Sequence, residues 1–197
     1  METINELRTT IALQVRAGYD TREQIINQAF ANLLGEYDPI WLEEQIISIT
    51  DIALRRHYRT QRNWHHITDC DRLDEAFAEL DRNGIVARQH FTSCQTRGHA
   101  EINQALSEAS QHREVQGYVF FHQQDTEVAL QNGYLYLAYG SVTGKEQESL
   151  AVAYQACGAL MRAGLSISWN EHVHSRICVH DLKWQYRRLP QYLVHSS

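Results

Sequence analysis

The polar segment from Phe91 to Glu101 contains a cysteine and a histidine five residues apart, Cys94 and His99. It follows a predicted strand and begins a predicted helix, and the free N–H groups of a helix N-terminus favour a thiolate. A thiolate with a histidine base and Glu101 as its orienting group is an arrangement that nucleophilic catalysis uses. The alternative is structural: Cys94 is then a small buried apolar residue, and Thr96 and Glu101 only cap the helix.

A second polar segment follows the predicted strand that ends at Phe121, and it contains His122, Gln124 and Asp125. Ligands bind at strand ends in α/β sheets. The alternative is a hydrophilic turn between two strands, but a tight hairpin turn prefers Asn-Gly, which the chain has later, at Asn132-Gly133. We therefore predict a functional site here, with His122 and Asp125 as catalytic candidates and Gln124 as a ligand-binding candidate.

The two segments, with His90 just before the first, also contain side chains that offer sulfur, nitrogen and oxygen donors to a metal ion: His90, Cys94, His99, Glu101, His122 and Asp125. Neither an HExxH nor a CxxC arrangement is present, so the sequence does not identify a metal or a cofactor. His172 and His174 are a further donor pair, in a predicted exposed loop. Gln95 and Trp169 are candidate ligand-binding residues.

The N-terminal third of the chain is predicted to be helical, because apolar residues recur there at helical spacing. Thr21 and Gln24 form a predicted capping box at the start of the second helix. Pro39 is suited to the first turn of the third helix. A fourth helix is predicted from Thr68 to Asn83, with a cap at each end. We predict that residues 1–66 form a helical N-terminal segment.

After Gly84 the pattern changes to short runs of β-branched and aromatic residues, which are typical of strands. The predicted strands are Ile85 to Ala87, Gly117 to Phe121, Tyr134 to Tyr139, Leu165 to Trp169 and Arg176 to Val179, with helices at His99 to His112 and Glu146 to Ala163. The order β-α-β-β-α-β-β matches a ferredoxin-like arrangement with one extra strand. The sequence therefore predicts an α+β domain over residues 67–197, with the helical segment packed on a mixed or antiparallel sheet of about five strands.

Composition excludes several classes of protein. The chain is 43% hydrophobic with a formal net charge of -6, which disfavours both disorder and nucleic-acid binding. No apolar run approaches the length of a membrane span, and the first residues do not resemble a signal peptide. The four cysteines are far apart and fit thiols in a reducing compartment. We predict a cytoplasmic protein that binds neither nucleic acid nor membrane.

The segments FTSCQTRGHAE and GYVFFHQQDTE, with the later YLYLAYG and WN…RI…W.RR, resemble a bacterial domain family of unknown function over about Asp69 to Arg188. In that family, cysteines often stand where this chain has Ser93 and Arg97. The positions that match the family are Cys94, Gln95, Gly98, His99 and Glu101 in the first motif, and His122, Gln124 and Asp125 in the second. The resemblance implies a shared polar cluster but no particular activity.

Two functions from different classes remain open at this point. The leading prediction is a binding module that holds a small ligand or a partner protein at the polar ends of the central strands. The competing prediction is a cysteine-dependent hydrolase or transferase, in which Cys94 is the nucleophile and His99 or His122 the base. A His/Cys metal site is a third reading of the same side chains.

Overall fold

The structure is a computed structural model, and it describes residues 2–33, 35, 37–93 and 95–189, without the side chains of residues 2, 3, 95, 96, 99 and 100. The chain forms two compact units. We call Met1–His66 with Gln185–Ser197 the helical unit, and Ile67–Trp184 the sheet unit. The predicted domain division after residue 66 stays a prediction.

Over its described residues the helical unit contains three helices, α1 (Glu2–Ala17), α2 (Arg22–Leu33) and α3 (Pro39–Gln61). The predicted capping box at α2 is present, because Thr21 N donates to Gln24 Oε1 (2.7 Å) and Gln24 N donates to Thr21 Oγ1 (3.2 Å). Asp38 caps α3 by accepting from Trp41 N at 2.9 Å. The three helices bury one common apolar core of Leu7, Ile11, Val15, Ile25, Ala29, Leu42, Ile46, Ile49 and Leu54.

The sheet unit contains four helices and five strands over its described residues. The helices are α4 (Asp69–Arg82), α5 (Gln95–Ser110), α6 (Gln123–Asn132) and α7 (Glu146–Arg162), and the strands are β1 (Ile85–Arg88), β2 (Gly117–Phe120), β3 (Leu135–Ser141), β4 (Ser166–Ser168) and β5 (Ile177–His180). The sheet order is β1-β2-β3-β5-β4, with β1 and β2 parallel and the other pairs antiparallel. The predicted α+β fold with a mixed sheet of five strands is confirmed.

The two faces of the sheet are covered differently. Helices α4 and α7 pack on one face, where Gly117 allows close contact because a Cβ there would lie 2.7 Å from Val152 Cγ2. On the opposite face α5 packs on β1 and β2, and Phe120 is fully buried beneath it. Beyond α5 on that same face, the strand register sets Tyr136 beside Cys178 and Ser168. Tyr136 is 38% exposed.

The ferredoxin-like part of the prediction is wrong in two respects. Strands β1 and β2 are neighbours, whereas a split β-α-β unit places another strand between them. Helix α6 also lies between β2 and β3, where the predicted order has no helix. Asn132-Gly133 does not form a hairpin turn: Gly133 has a φ of 74° and ends α6, with its N–H donating to Ala129 O.

Candidate functional site

The two polar segments singled out by the sequence lie side by side. Because β1 and β2 are parallel, their C-terminal ends meet at one edge of the sheet. Backbone hydrogen bonds join the segments beyond the strands: Phe91 N donates to Phe121 O (2.8 Å) and Gln123 N donates to Thr92 O (3.1 Å). The chain that leads into α5 and the chain that leads into α6 therefore form one rigid edge.

Helix α6 begins with an unusual capping box in which histidine takes the place of serine or threonine. His122 Nδ1 accepts from Asp125 N at 3.2 Å, and Asp125 Oδ2 accepts from His122 N at 3.0 Å. Since Nδ1 accepts a hydrogen bond, the proton of a neutral imidazole is on Nε2, which lies 3.2 Å from Asp125 Oδ2. His122 and Asp125 are 4% and 3% exposed, so this pair is part of the protein interior.

Arg176, just before β5, completes the cluster. Its Nη2 lies 2.6 Å from Asp125 Oδ2, and the same nitrogen donates to Tyr136 O. The guanidinium carbon is 5.6 Å from the centre of the Tyr136 ring, which is cation–π distance. We call His122, Asp125 and Arg176 the strand-end cluster. The sequence did not identify Arg176 as a site residue. Arg176 appears there only as part of the Arg176-Ile177 pair in the C-terminal motif that resembles the family.

His90 links the end of β1 to α6 through its side chain. His90 Nδ1 lies 2.9 Å from the hydroxyl of Thr126, a fully buried residue in the first turn of α6. His90 and Thr92 have φ values of 50° and 62°, a left-handed backbone that is uncommon for residues other than glycine. Such conformations concentrate at functional sites, where the surrounding structure holds them in place. The two strained residues adjoin the strand-end cluster.

The burial of His122 has an electrostatic consequence. Burial lowers the pKa of His122, the positive charge of Arg176 lowers it further, and the Asp125 carboxylate opposes both effects. The net direction is downward, so His122 is neutral near pH 7. Asp74 on α4 shows the same effect of burial on an acid: burial raises its pKa, while the hydrogen bond from Gln89 Nε2 (2.8 Å) opposes the rise.

Titration of His122 followed by NMR is expected to show a midpoint below the value of about 6.5 for a free histidine. A lowered pKa means that the folded protein binds the proton less readily than the unfolded chain. The contribution of His122 to stability is therefore complete above about pH 6.5 and is lost as the pH falls below that value. Replacing Asp125 with asparagine removes the charge that raises the His122 pKa, so the midpoint should move lower still. A midpoint at or above 6.5 would contradict the burial argument.

The remaining predicted site residues are dispersed or not described. Cys94 lies outside the described residues, and so do the side chains of Gln95 and His99. Gln124 is exposed in the first turn of α6, next to the strand-end cluster, and the Glu101 side chain is exposed on α5. Trp169 packs elsewhere: its ring lies edge-on against Tyr139 and Tyr154, with ring centroids 5.7 and 5.2 Å away.

The described residues contain no group of three or more His, Cys, Asp or Glu side chains that could hold a metal ion. The rings of His172 and His174 are 5.4 Å apart, but His172 Nδ1 accepts from His174 N. A metal site that includes Cys94 or His99 stays a prediction. Among the described cysteines, Cys157 and Cys178 are free thiols.

These features define an α+β protein with a helical unit built from both ends of the chain and a mixed sheet with a buried ionic cluster at its parallel strand ends. The chain belongs to the family described as Domain of unknown function (DUF6891), whose model matches residues 1–188. The resemblance to a family of unknown function is thus confirmed, and the match also includes the N-terminal helices. Comparisons with curated proteins and with solved structures find no significant match. No described helix is long and apolar enough to cross a membrane.

Proposed function

We propose that the sheet unit is a binding module for a small molecule, which it holds at the joined ends of β1 and β2. The observation that carries the proposal is the buried His122–Asp125–Arg176 cluster at this edge. Its exposed neighbour Gln124 and the half-buried His90 extend the polar surface around it. The proposal keeps the site where the sequence predicts it and adds Arg176 to its residues.

Capping alone does not account for this cluster, as α4 shows. Thr68 and Asp71 form an ordinary capping box there: Asp71 N donates to Thr68 Oγ1 (3.2 Å), and Thr68 N donates to Asp71 Oδ2 (2.7 Å). At α6 the chain instead buries an imidazole, a carboxylate and a large part of a guanidinium. Removing such charges from water is costly, and perturbed ionisable groups are concentrated at functional sites.

The three side chains suit a ligand held by hydrogen bonds. Arg176 contributes a fixed positive charge that is partly exposed, His122 in its neutral form adds no second charge, and Asp125 Oδ2 contacts both of them. Backbone hydrogen bonds hold the surrounding edge in place, so the ligand meets a preformed surface. These groups are suited to binding and orienting a ligand.

A small-molecule screen read by NMR tests the proposal. Acids, amines, sugars and nucleotides are added to the labelled protein, and a ligand is expected to shift the amide signals of residues 90–92 and 122–126. Binding should be lost in the variant Asp125→Asn and kept in Asp71→Asn, which alters the matching residue of the α4 capping box. Circular dichroism first establishes that both variants are folded. A screen in which no compound shifts these signals, or equal binding by both variants, would refute the proposal.

The cysteine-dependent hydrolase or transferase is the alternative, because Cys94 follows closely on Thr92, whose carbonyl is bonded to the start of α6. Its test is the rate of alkylation of Cys94 against pH, with the label located by mass spectrometry. An activated nucleophile would react with a midpoint well below the ~8.5 of a free cysteine. Cys157 is the internal reference, since burial raises its pKa to about 11. Slow labelling of Cys94 would contradict the cysteine-dependent enzyme and leave the binding module as the proposed function.

A further inference from the structure

We infer that the ligand of the strand-end cluster is an organic carboxylate, bound by the part of the Arg176 guanidinium that the protein does not use. This inference rests on the proposed function and specifies the chemical class of its ligand. It depends on which Arg176 donors are occupied, on the surface around the guanidinium and on the local charge.

The hydrogen bonds of Arg176 are concentrated on one nitrogen. Nη2 donates to Asp125 Oδ2 and to Tyr136 O, which accounts for both of its protons. Nε is enclosed and has no acceptor, and no hydrogen bond from Nη1 to a described residue is present. Each edge of a guanidinium that can hold a carboxylate by two hydrogen bonds includes an Nη2 proton, and Asp125 Oδ2 and Tyr136 O already accept both of these. Arg176 therefore retains Nη1 as the donor that can bind one oxygen of a carboxylate.

The Arg176 side chain is also partly accessible from solvent, although its Nε is enclosed. A quarter of the Arg176 side chain is exposed, whereas Asp125 on its other side is almost completely buried. An incoming carboxylate therefore meets Arg176 first, and Arg176 then bridges the carboxylates of the ligand and of Asp125. The positive end of α6 lies at the same place and favours a negative charge there.

The surroundings favour an organic anion over an inorganic one. Arg176 lies over the ring of Tyr136, which is itself partly exposed on the sheet face that α5 leaves uncovered. Cys178 is paired with Tyr136 across β3 and β5 on this face and is half-buried. A ligand whose carboxylate contacts Arg176 can thus pack its carbon skeleton on the ring of Tyr136 and beside Cys178.

Titrations with benzoate, its neutral analogue benzamide and inorganic phosphate test this inference. Benzoate is expected to shift the amide signals of residues 135–137 and 176–178, and benzamide to bind at least tenfold more weakly. The variant Arg176→Lys retains the charge, but a single ammonium cannot replace Nη2 on Asp125 and Nη1 on the ligand at the same time, so benzoate affinity should fall about tenfold. Tyr136→Leu should weaken benzoate binding with Arg176 intact, which provides a second variant. Arg162→Lys is the control, since Arg162 is exposed on α7 and paired with Glu79.

Each other outcome has a definite meaning. Equal binding of benzoate and benzamide, or unchanged affinity in Arg176→Lys, overturns the carboxylate assignment. Tighter binding of phosphate than of benzoate assigns the site to phosphate and also overturns the assignment to an organic carboxylate. In these cases the proposed function stands if another compound shifts the signals of residues 122–126. If no compound of any class shifts them, the proposed function itself fails.

Discussion

Replacing Arg188 with alanine is expected to lower the free energy of unfolding by about 2–4 kcal/mol, because a buried acceptor that loses its donor costs about 1–3 kcal/mol. Arg188 is 9% exposed in the helical unit, and its guanidinium donates to the carbonyls of Val15 (2.8 Å), Asp20 (2.7 Å) and Gln14 (3.4 Å). Alanine would remove this donor from the carbonyls of Val15 and Asp20, at and beyond the end of α1, whereas Gln14 O would still accept from Gly18 N (3.3 Å). Urea denaturation followed by circular dichroism measures the loss.

The control for Arg188 is Arg59→Ala, because Arg59 is exposed on α3 and surface changes of this kind usually alter stability by less than about 0.5 kcal/mol. Arg188→Lys should remain strongly destabilised, since one ammonium group cannot reproduce the planar donor set. Hydrogen exchange should show the loss of protection in α1. A loss below about 1 kcal/mol for Arg188→Ala, within the range of a single ordinary hydrogen bond, would show that water replaces the guanidinium and would contradict the argument.

Replacing Asp125 with asparagine is expected to lower the free energy of unfolding by about 2–3 kcal/mol. Asp125 Oδ2 contacts Arg176 Nη2 and both His122 N and His122 Nε2, so the substitution leaves a partly buried guanidinium without its carboxylate. The expected loss is smaller than for a fully buried pair because a quarter of the Arg176 side chain is exposed and solvent screens its charge. Thermal and urea denaturation at pH 7 give the value.

Asp71→Asn is the matched control, because Asp71 has the same position in the capping box of α4. Loss of a cap costs about 1 kcal/mol. If Asp125 acts only as a cap, the two variants will be equally stable. A larger loss in Asp125→Asn measures the contribution of the ionic cluster, and the double variant Asp125→Asn with Arg176→Gln should then recover part of it, since the charge is removed from both sides.

The sequence predicted most of the fold because its signals were local. Thr21 with Gln24 and Thr68 with Asp71 are spaced as capping boxes, and both boxes form. Helix α6 was missed because its cap is a histidine, which is not among the usual capping residues. The spacing of His122 and Asp125 is that of a capping box, and Gly133 is at the position where a helix ends, so the signal was present in an unusual form.

The candidate site was only partly predictable. His122 and Asp125 were identified because they are close in sequence and follow a strand. Arg176 is 51 residues from Asp125, and the two meet only because β5 pairs with β3 beside α6. That strand order is a tertiary property, determined by how the helices cover the sheet, and no spacing in the sequence indicates it. Residues brought together in this way require a structure or an alignment to be found.

The position of Arg188 in the chain has a consequence for synthesis on the ribosome. The helical unit is discontinuous, because Gln185–Leu189 belongs with the helices of residues 2–66. Helices α1 to α3 are synthesised before the sheet unit, yet the guanidinium that satisfies the end of α1 is made only after it. We therefore expect the nascent helices α1 to α3 to remain incompletely folded during translation, and to be a substrate for chaperones, until Arg188 has left the ribosome.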